Sequence, residues 1–336
     1  MRVYLTGATG FVGSNAVRVF TERHGAELFC PWHRTEPPAA APYASARIDL
    51  TDGDAVLRSV ADVRPDVIVH SAILNDFLGL TADRRRAWAA YVGATRHLVD
   101  AANAFGARLV LVSTDWVFDG TQGPASEVEP PNPVNAYGFL KAACELVVTE
   151  RAERGAVGRI AGVNGVHWAR WDEAGLPRRQ DAGFGYFVAA LVQTLRAGRT
   201  FTVWEGPDVN MVATPTLASD GADLVARLAA SEMTGIFHCC GGEHADRAAL
   251  ARAAVEAFDL DGDLLAFGPP DPGAVPHGVR IPHDTRLDAR ATAAALGVEL
   301  PDLRTMLGRL RHELDTGELA DPTRPPAIAA DGRSLQ

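Results

Sequence analysis

Residues 2–13 read Arg-Val-Tyr-Leu-Thr-Gly-Ala-Thr-Gly-Phe-Val-Gly, and no other run constrains the fold as strongly. Val3, Tyr4 and Leu5 form an apolar stretch of the length of a buried strand, and Asn15–His24 reads as a helix. Between them Gly7, Gly10 and Gly13 recur every third residue. The first glycine permits a tight strand-to-helix turn. The second lets the backbone approach a pyrophosphate, and the third lets the helix pack close to the sheet. The helix N-terminus then offers unpaired N–H groups and a positive dipole end to phosphate. A dinucleotide site is therefore expected here, with Gly7, Thr9, Gly10, Phe11 and Val12 around the phosphates.

The first half alternates short apolar runs with helical stretches. Val3–Leu5, Glu27–Cys30, Ala46–Leu50, Val67–His70 and Leu109–Ser113 read as strands. Asn15–His24, Asp54–Val60, Ala87–Phe105 and Ala136–Arg151 read as helices between or after them. Unbroken apolar strands separated by helices predict an α/β fold, a Rossmann-type doubly wound parallel sheet. Beyond residue 160 the alternation loosens. Trp168–Gly183 is polar and reads as a loop or lid. Helices are expected at Phe187–Arg196, Ala218–Ala230, Ala245–Phe258, Asp288–Leu296 and Leu303–Leu314, and strands at Phe201–Trp204 and Ile236–Cys240. Phe267–His277, with its prolines, reads as an extended loop. The chain is expected to divide at about residue 160, with a tail over 321–336.

Composition excludes several classes. A chain of 336 residues, 47% hydrophobic, can bury the interior of two packed lobes. A formal net charge of −10 disfavours nucleic acid and anionic membranes as partners. Cys30, Cys144, Cys239 and Cys240 have neither CxxC pairing nor metal-ligand spacing, so reduced thiols and no metal are expected. No segment approaches a membrane span, and the chain enters a strand at once, which predicts a soluble cytoplasmic protein.

The candidate chemistry follows the strand Leu109–Ser113. Ser113-Thr114-Asp115-Trp116-Val117-Phe118-Asp119-Gly120 comes first, and Tyr137 and Lys141 stand four apart on the helix Ala136–Arg151. Residues four apart share a helix face. An ammonium there is expected to draw the Tyr137 phenol towards neutrality as a general acid or base, with the Thr114 hydroxyl polarising a carbonyl. His70 reads as a hydrogen-bonded histidine at a strand end. At the end of the second strand, Trp32-His33-Arg34 offers cations and no carboxylate to an adenosine ribose, which favours NADP(H), with NAD(H) as the alternative.

Thr-Gly-Ala-Thr-Gly-Phe-Val-Gly, Ser113–Gly120 and Tyr137…Lys141 together resemble the extended short-chain dehydrogenase/reductases. The Ser-Thr-Asp-x-Val-Phe-Asp-Gly form, and Thr285–Asp288 through Gly297 to Asp302, are similar to the dTDP-4-dehydrorhamnose reductase family. The resemblance implies a Rossmann-type NAD(P)-binding domain over 1–160 and a mainly substrate-binding lobe over 161–320 that sends segments back to the first domain. It implies hydride transfer from a nicotinamide to a keto group on a sugar, with a nucleotide-linked 4-keto-6-deoxyhexose as the substrate class. It implies that Thr114 holds the carbonyl oxygen, Tyr137 protonates it, and Lys141 binds the nicotinamide ribose. Asp49 and Leu50 resemble the pair flanking the adenine, and Ser71 and Ala72 stand in the motif after the strand Val67–His70. Three departures stand out: Tyr91 in place of the family's usual Asn, His70-Ser71-Ala72 in place of an Asn-Ala-Ala form, and Asp208–Met211 ahead of Thr214-Pro215-Thr216. The alternatives are an epimerase or dehydratase of the same fold, and a dinucleotide-binding regulatory subunit like that of methionine adenosyltransferase. Expected partners are a small-molecule sugar nucleotide and, as an open expectation, a second copy in a homodimer.

Overall fold

In the computed structural model the described residues are 1–74, 76–173, 180–275 and 277–323. The strands β1 (Arg2–Thr6), β2 (Glu27–Phe29), β3 (Val67–His70), β4 (Arg108–Thr114) and β5 (Gly155–Ile160) are joined by Gly235–His238 in one six-stranded sheet. Its order is Gly235–His238, β5, β4, β3, β1, β2, and every pairing is parallel. Side chains alternate between the two faces. Val3, Leu5, Val67, Val69 and Val110 pack on one side with Phe20 and Leu228, while Tyr4, Ile68, Leu109 and Leu111 pack on the other with Leu98, Val99 and Val148. With both faces covered the strands have no polar side, which explains their unbroken apolar runs.

β1 lies between β2 and β3, so the strand order reverses beside it. In such sheets the crevice beyond the strand ends at the reversal is where ligands bind. Gly7 follows β1 there, and Ser71 follows β3.

Several expectations change. Ala46–Leu50 is not a strand. Residues 44–48 run beside the extension of β2 through single bridges, Phe29 to Ala44 and Trp32 to Arg47, with Trp32 N donating to Ala46 O at 3.0 Å and Ile48 N to Trp32 O at 2.7 Å. Cys30 N also donates to Ala44 O at 2.8 Å, but the contacts stay isolated bridges. The strand β5 has no counterpart in the expected strands, because Gly155, Gly158 and Arg159 break its apolar pattern. Ala87–Phe105 is not one regular helix: Arg84–Trp88 is followed by a wide π-type turn at Ala89–Gly93 and then by Ala94–Phe105. Phe267 belongs to a short strand, Leu265–Gly268, paired in parallel with Phe201–Trp204.

After Ile160 the chain builds a separate apolar cluster around Phe187, Leu191, Phe201, Leu250 and Leu307. The helix Ala218–Ala230 returns to cover the sheet. Of the loop expected at Trp168–Gly183, residues 174–179 lie outside the described residues, and so does the tail from residue 324 onward. Among the described residues no helix is long and apolar enough to cross a membrane, and all four cysteines are free and buried.

One buried ion pair braces this frame. Arg159 on β5 donates to Glu145 through Nε at 2.9 Å and Nη2 at 2.7 Å, and the Ser113 hydroxyl of β4 donates to Glu145 at 2.5 Å. Arg159 is 0% and Glu145 2% exposed. Removing one partner of such a pair leaves an uncompensated buried charge. Glu145→Ala is expected to lower unfolding free energy by about 3–5 kcal/mol in a denaturant titration, and a loss below about 1 kcal/mol contradicts this account.

Candidate active site

The turn after β1 is shaped by what a side chain cannot occupy. Gly7 has φ +78°, and a Cβ there meets Ala72 N at 2.8 Å; a Cβ on Gly13 meets Gly7 O at 2.0 Å. The turn and the helix α1 (Phe11–Arg18) can therefore close on each other only with glycine at these positions. α1 is N-capped by Gly10 with no side-chain cap, which leaves its first N–H groups without a side-chain acceptor. This open, uncapped N-terminus fits a pyrophosphate. Thr9 lies part-buried in the turn, Phe11 packs on Tyr186 with ring centroids 4.5 Å apart, and Val12 packs towards the sheet.

Across the strand reversal, Ser71 N and Ala72 N each donate to Thr6 Oγ1 at 3.2 Å, and Ser71 Oγ donates to Thr6 O at 3.1 Å. Thr6 Oγ1 also lies 2.8 Å from His70 Nδ1. Burial, with Lys141 nearby, pushes His70 down to about 3, so it is neutral and partnered, in line with its reading as a satisfied histidine. Leu50 accepts from His97 through its carbonyl at 3.0 Å. Asp49 is held by both the N–H and the hydroxyl of Thr51, at 2.9 and 2.8 Å, and its Oδ2 is 3.7 Å from His33 Nε2. Burial raises it, but the Thr51 bonds and the charges of His33 and Arg34 hold it below its usual range. His33 and Arg34 are exposed. Arg47 was not anticipated: it donates to His33 O at 3.2 Å and lies 5.9 Å from the Trp32 ring.

Thr114 ends β4, 6% exposed, and Tyr137 and Lys141 stand one turn apart on Ala136–Arg151. The helix is capped by Asn135, whose Oδ1 accepts from Gly138 N at 2.9 Å. Gly138 is required there, since a Cβ would meet Trp116 O at 2.0 Å. The Tyr137 phenol lies beside the Thr114 side chain. The rings of Phe77, Trp116 and Tyr91 stand 5.4, 6.1 and 6.3 Å from the Tyr137 ring, all edge-on.

The expected electrostatics of this pair need correction. Burial, opposed by the Thr114 side chain and aided by the Asp115 charge, pushes Tyr137 up to about 12. Lys141 does not draw it towards neutrality. Its ammonium donates to Val112 O at 2.6 Å, and its own pKa is lowered by burial. Tyr137 is thus a protonated phenol at neutral pH, a donor. Tyr91, 2% exposed, donates its hydroxyl to Leu74 O at 2.9 Å. A cavity of about 540 Å³ opens beside Tyr137, lined in part by Phe77, Arg84, Trp88, Phe139 and Arg280.

The second half of the chain contributes a residue that sequence reasoning missed. Arg247, 0% exposed, donates to Asn210 O at 2.7 Å, Gln180 Oε1 at 3.1 Å and Asp181 O at 3.0 Å, and also to Gly183 O, with its guanidinium over Phe184 and Phe187. The stretch read as a lid is therefore pinned at Gln180–Phe184, and a Cβ on Gly183 would lie 3.1 Å from Trp116. Its other end is tied to α1: Trp168 Nε1 donates to Asn15 Oδ1 at 3.0 Å, and Arg18 sits 4.1 Å from the Trp168 ring. Among ordinary arginines in a polar chain, nothing in the sequence marks Arg247 as buried.

Comparison with known proteins places this geometry. The family model described as "RmlD substrate binding domain" matches residues 1–316. The chain is 30% identical to a dTDP-4-dehydrorhamnose reductase of Streptomyces griseus over 236 residues, 70% of this chain and 67% of the relative. It is 29% identical to the bovine (Bos taurus) methionine adenosyltransferase 2 subunit beta over 315 residues, 89% of this chain and 84% of the relative. The crystal structure of a hypothetical dTDP-4-dehydrorhamnose reductase from Sulfolobus tokodaii superposes with a TM-score of 0.71 at 27% identity, covering 90% of this chain and 98% of that one. A match across nearly the whole chain, on a parallel sheet with a glycine cradle at its strand reversal, shows that this protein belongs to the RmlD substrate binding domain family, within the extended short-chain dehydrogenase/reductases, a group of NAD(P)-dependent oxidoreductases.

Proposed function

We propose that the protein is an NADPH-dependent reductase of a keto group on a nucleotide-linked sugar, with a 4-keto-6-deoxyhexose as the substrate class. The observation that carries this is the Tyr137 phenol, protonated at neutral pH and placed beside Thr114, on a fold whose glycine cradle fits a dinucleotide. The name of the Streptomyces griseus relative supports the substrate class.

Gly7, Thr9, Gly10, Phe11 and Val12 hold the cofactor's phosphates, Asp49 and Leu50 flank the adenine, and Ser71 and Ala72 line the path to the nicotinamide. His33 and Arg34 meet the 2′-phosphate, which makes NADPH the preferred cofactor and NADH the alternative. The nicotinamide, when bound, supplies the hydride to the carbonyl carbon. Negative charge then builds on the carbonyl oxygen, and the Tyr137 proton moves to it, turning ketone into alcohol and leaving a phenolate that solvent reprotonates. Thr114 steadies the oxygen from the other side. Lys141, one turn along, binds the nicotinamide ribose. Trp116 stands where related dehydratases hold a Glu, which disfavours dehydration.

A second reading, a dinucleotide-binding regulatory subunit, is favoured by Tyr91. It occupies the position of the family's relay Asn and commits its hydroxyl to Leu74 O, and the bovine relative is named as a subunit of methionine adenosyltransferase. NADPH oxidation with dTDP-4-dehydrorhamnose, run beside a binding assay for a methionine adenosyltransferase catalytic subunit, separates the two.

Tyr137→Phe keeps the ring and removes the proton. Turnover is expected to fall about 10²–10⁴-fold with folding and NADPH binding retained; an unchanged rate overturns the mechanism. Lys141→Met is expected to reduce turnover and also raise the NADPH Kd, a pairing that calorimetry beside steady-state kinetics reveals. Arg34→Ala is expected to weaken NADPH by about 1.5–3 kcal/mol while sparing NADH. Equal losses for both cofactors, or no preference in the parent protein, rule out the role of Arg34.

A further inference from the structure

Asp115 is the buried carboxyl of the site that the proposed reaction leaves unused. It follows Thr114 directly, is 5% exposed, and its Oδ1 accepts from the Thr114 hydroxyl at 3.0 Å. From the far end of the chain the Thr285 side chain lies beside it and favours its ionised form. Thr285 Oγ1 in turn accepts from Asn210 Nδ2 at 2.7 Å. Asn210 is fixed through its own backbone, donating to Ala182 O at 2.7 Å and accepting from Arg247 Nε at 2.7 Å. A string of polar groups thus runs from Arg247 through Asn210 and Thr285 to Asp115 and Thr114, with the Tyr137 phenol beside Thr114.

The string decides a question that distances alone do not. A hydroxyl has a single hydrogen, and an ionised carboxylate can only accept. While Asp115 is ionised, the Thr114 hydrogen is committed to it, and the Thr114 oxygen is left to accept, as it does from Trp116 N at 3.2 Å. Thr114 then has nothing to donate to a substrate oxygen. The carboxylate charge beside it also opposes the negative charge that hydride addition builds there. A proton on Asp115 removes both obstacles.

We propose that Asp115 is a positioning residue: held by Thr285 and Asn210, it withholds the Thr114 hydrogen from the substrate oxygen until it takes up a proton. The proposal rests on the reductase reading. Burial, opposed by the Thr285 and Thr114 side chains, raises Asp115 to about 6, which brings the exchange near neutral pH. The titratable groups facing it are Tyr137, from the helix Ala136–Arg151, and Cys240, just beyond the strand Gly235–His238. Burial holds the phenol at about 12 and the thiol well above its ordinary value, so neither titrates in that range. The sign follows. Below about 6 Asp115 is protonated and kcat is highest, and kcat falls as pH rises through that value. The Thr285 side chain stabilises the ionised form, so Thr285→Val raises the midpoint and shifts the fall upward by about one pH unit. At pH 7 that variant turns over several-fold faster than the parent.

The test uses the NADPH-loaded protein with carboxyl-¹³C aspartate, the Asp115 resonance being identified as the one lost in Asp115→Asn. In the parent this resonance is expected to titrate near 6, in Thr285→Val about one unit higher, and in Thr285→Ser as in the parent. With dTDP-4-dehydrorhamnose as the probe substrate, the kcat–pH profiles are expected to show the same midpoints. A midpoint near 4, or one unmoved by Thr285→Val, overturns the proposal whether or not the protein turns over. Turnover whose pH profile ignores the resonance midpoint also overturns it. The expected titrations with no turnover of the probe support the coupling of Thr285 to Asp115 and count against the reductase reading instead.

Discussion

The site depends on the buried pair of Glu145 and Arg159. Arg159 belongs to β5, Glu145 to the helix that carries Tyr137 and Lys141, and Ser113, which donates to the same carboxylate, immediately precedes Thr114. One carboxylate therefore sets the distance between the helix with the phenol and the strand with the hydroxyl. Phe118 closes over the guanidinium at 4.9 Å and keeps water out. A charge pair in such surroundings is a weak source of net stability, because desolvation offsets much of its attraction. Its service is geometric: few other arrangements of these elements leave both charges satisfied.

A second guanidinium plays the corresponding part beyond the sheet. Arg247 fixes Asn210 and the residues around Gly183, and so brings one half of the chain against Trp116 and, through Thr285, against Asp115. On the other side α1 is joined to the same half by Asn15 and Arg18 through Trp168. The helix that would meet the cofactor phosphates and the loop that abuts the candidate substrate space are thus connected by short, directional contacts. The apolar clusters fill the space between them, but these polar groups determine how the parts are aimed.

Much of this was legible in the sequence, and for reasons that are local. Gly7, Gly10 and Gly13 report a backbone that must pass too close for a Cβ, which is a property of the turn and needs no distant partner. The apolar runs of β1, β3 and β4 report burial on both faces. Tyr137 and Lys141 four apart on a helix share a face wherever that helix lies. These signals located the cradle, the sheet and the candidate chemical residues.

Other features depended on neighbours distant in the chain, which no local pattern encodes. β5 looked too polar for a central strand until Glu145 neutralised Arg159. Residues 46–50 looked like a strand, but the segment before and into them meets the extension of β2 only through isolated bridges. The Tyr137 phenol was expected near neutrality from Lys141 alone; the rings packed around it and the Asp115 charge send it to about 12 instead. The connection of Asp115 to Thr285 joins residues 170 positions apart. The sequence by itself determined the local geometry of turns, strands and helix faces, because these arise from the covalent chain and its immediate neighbours. Only the tertiary structure decided which charges are buried together, and with them the protonation of the site, because desolvation and pairing depend on groups that meet only in the folded chain.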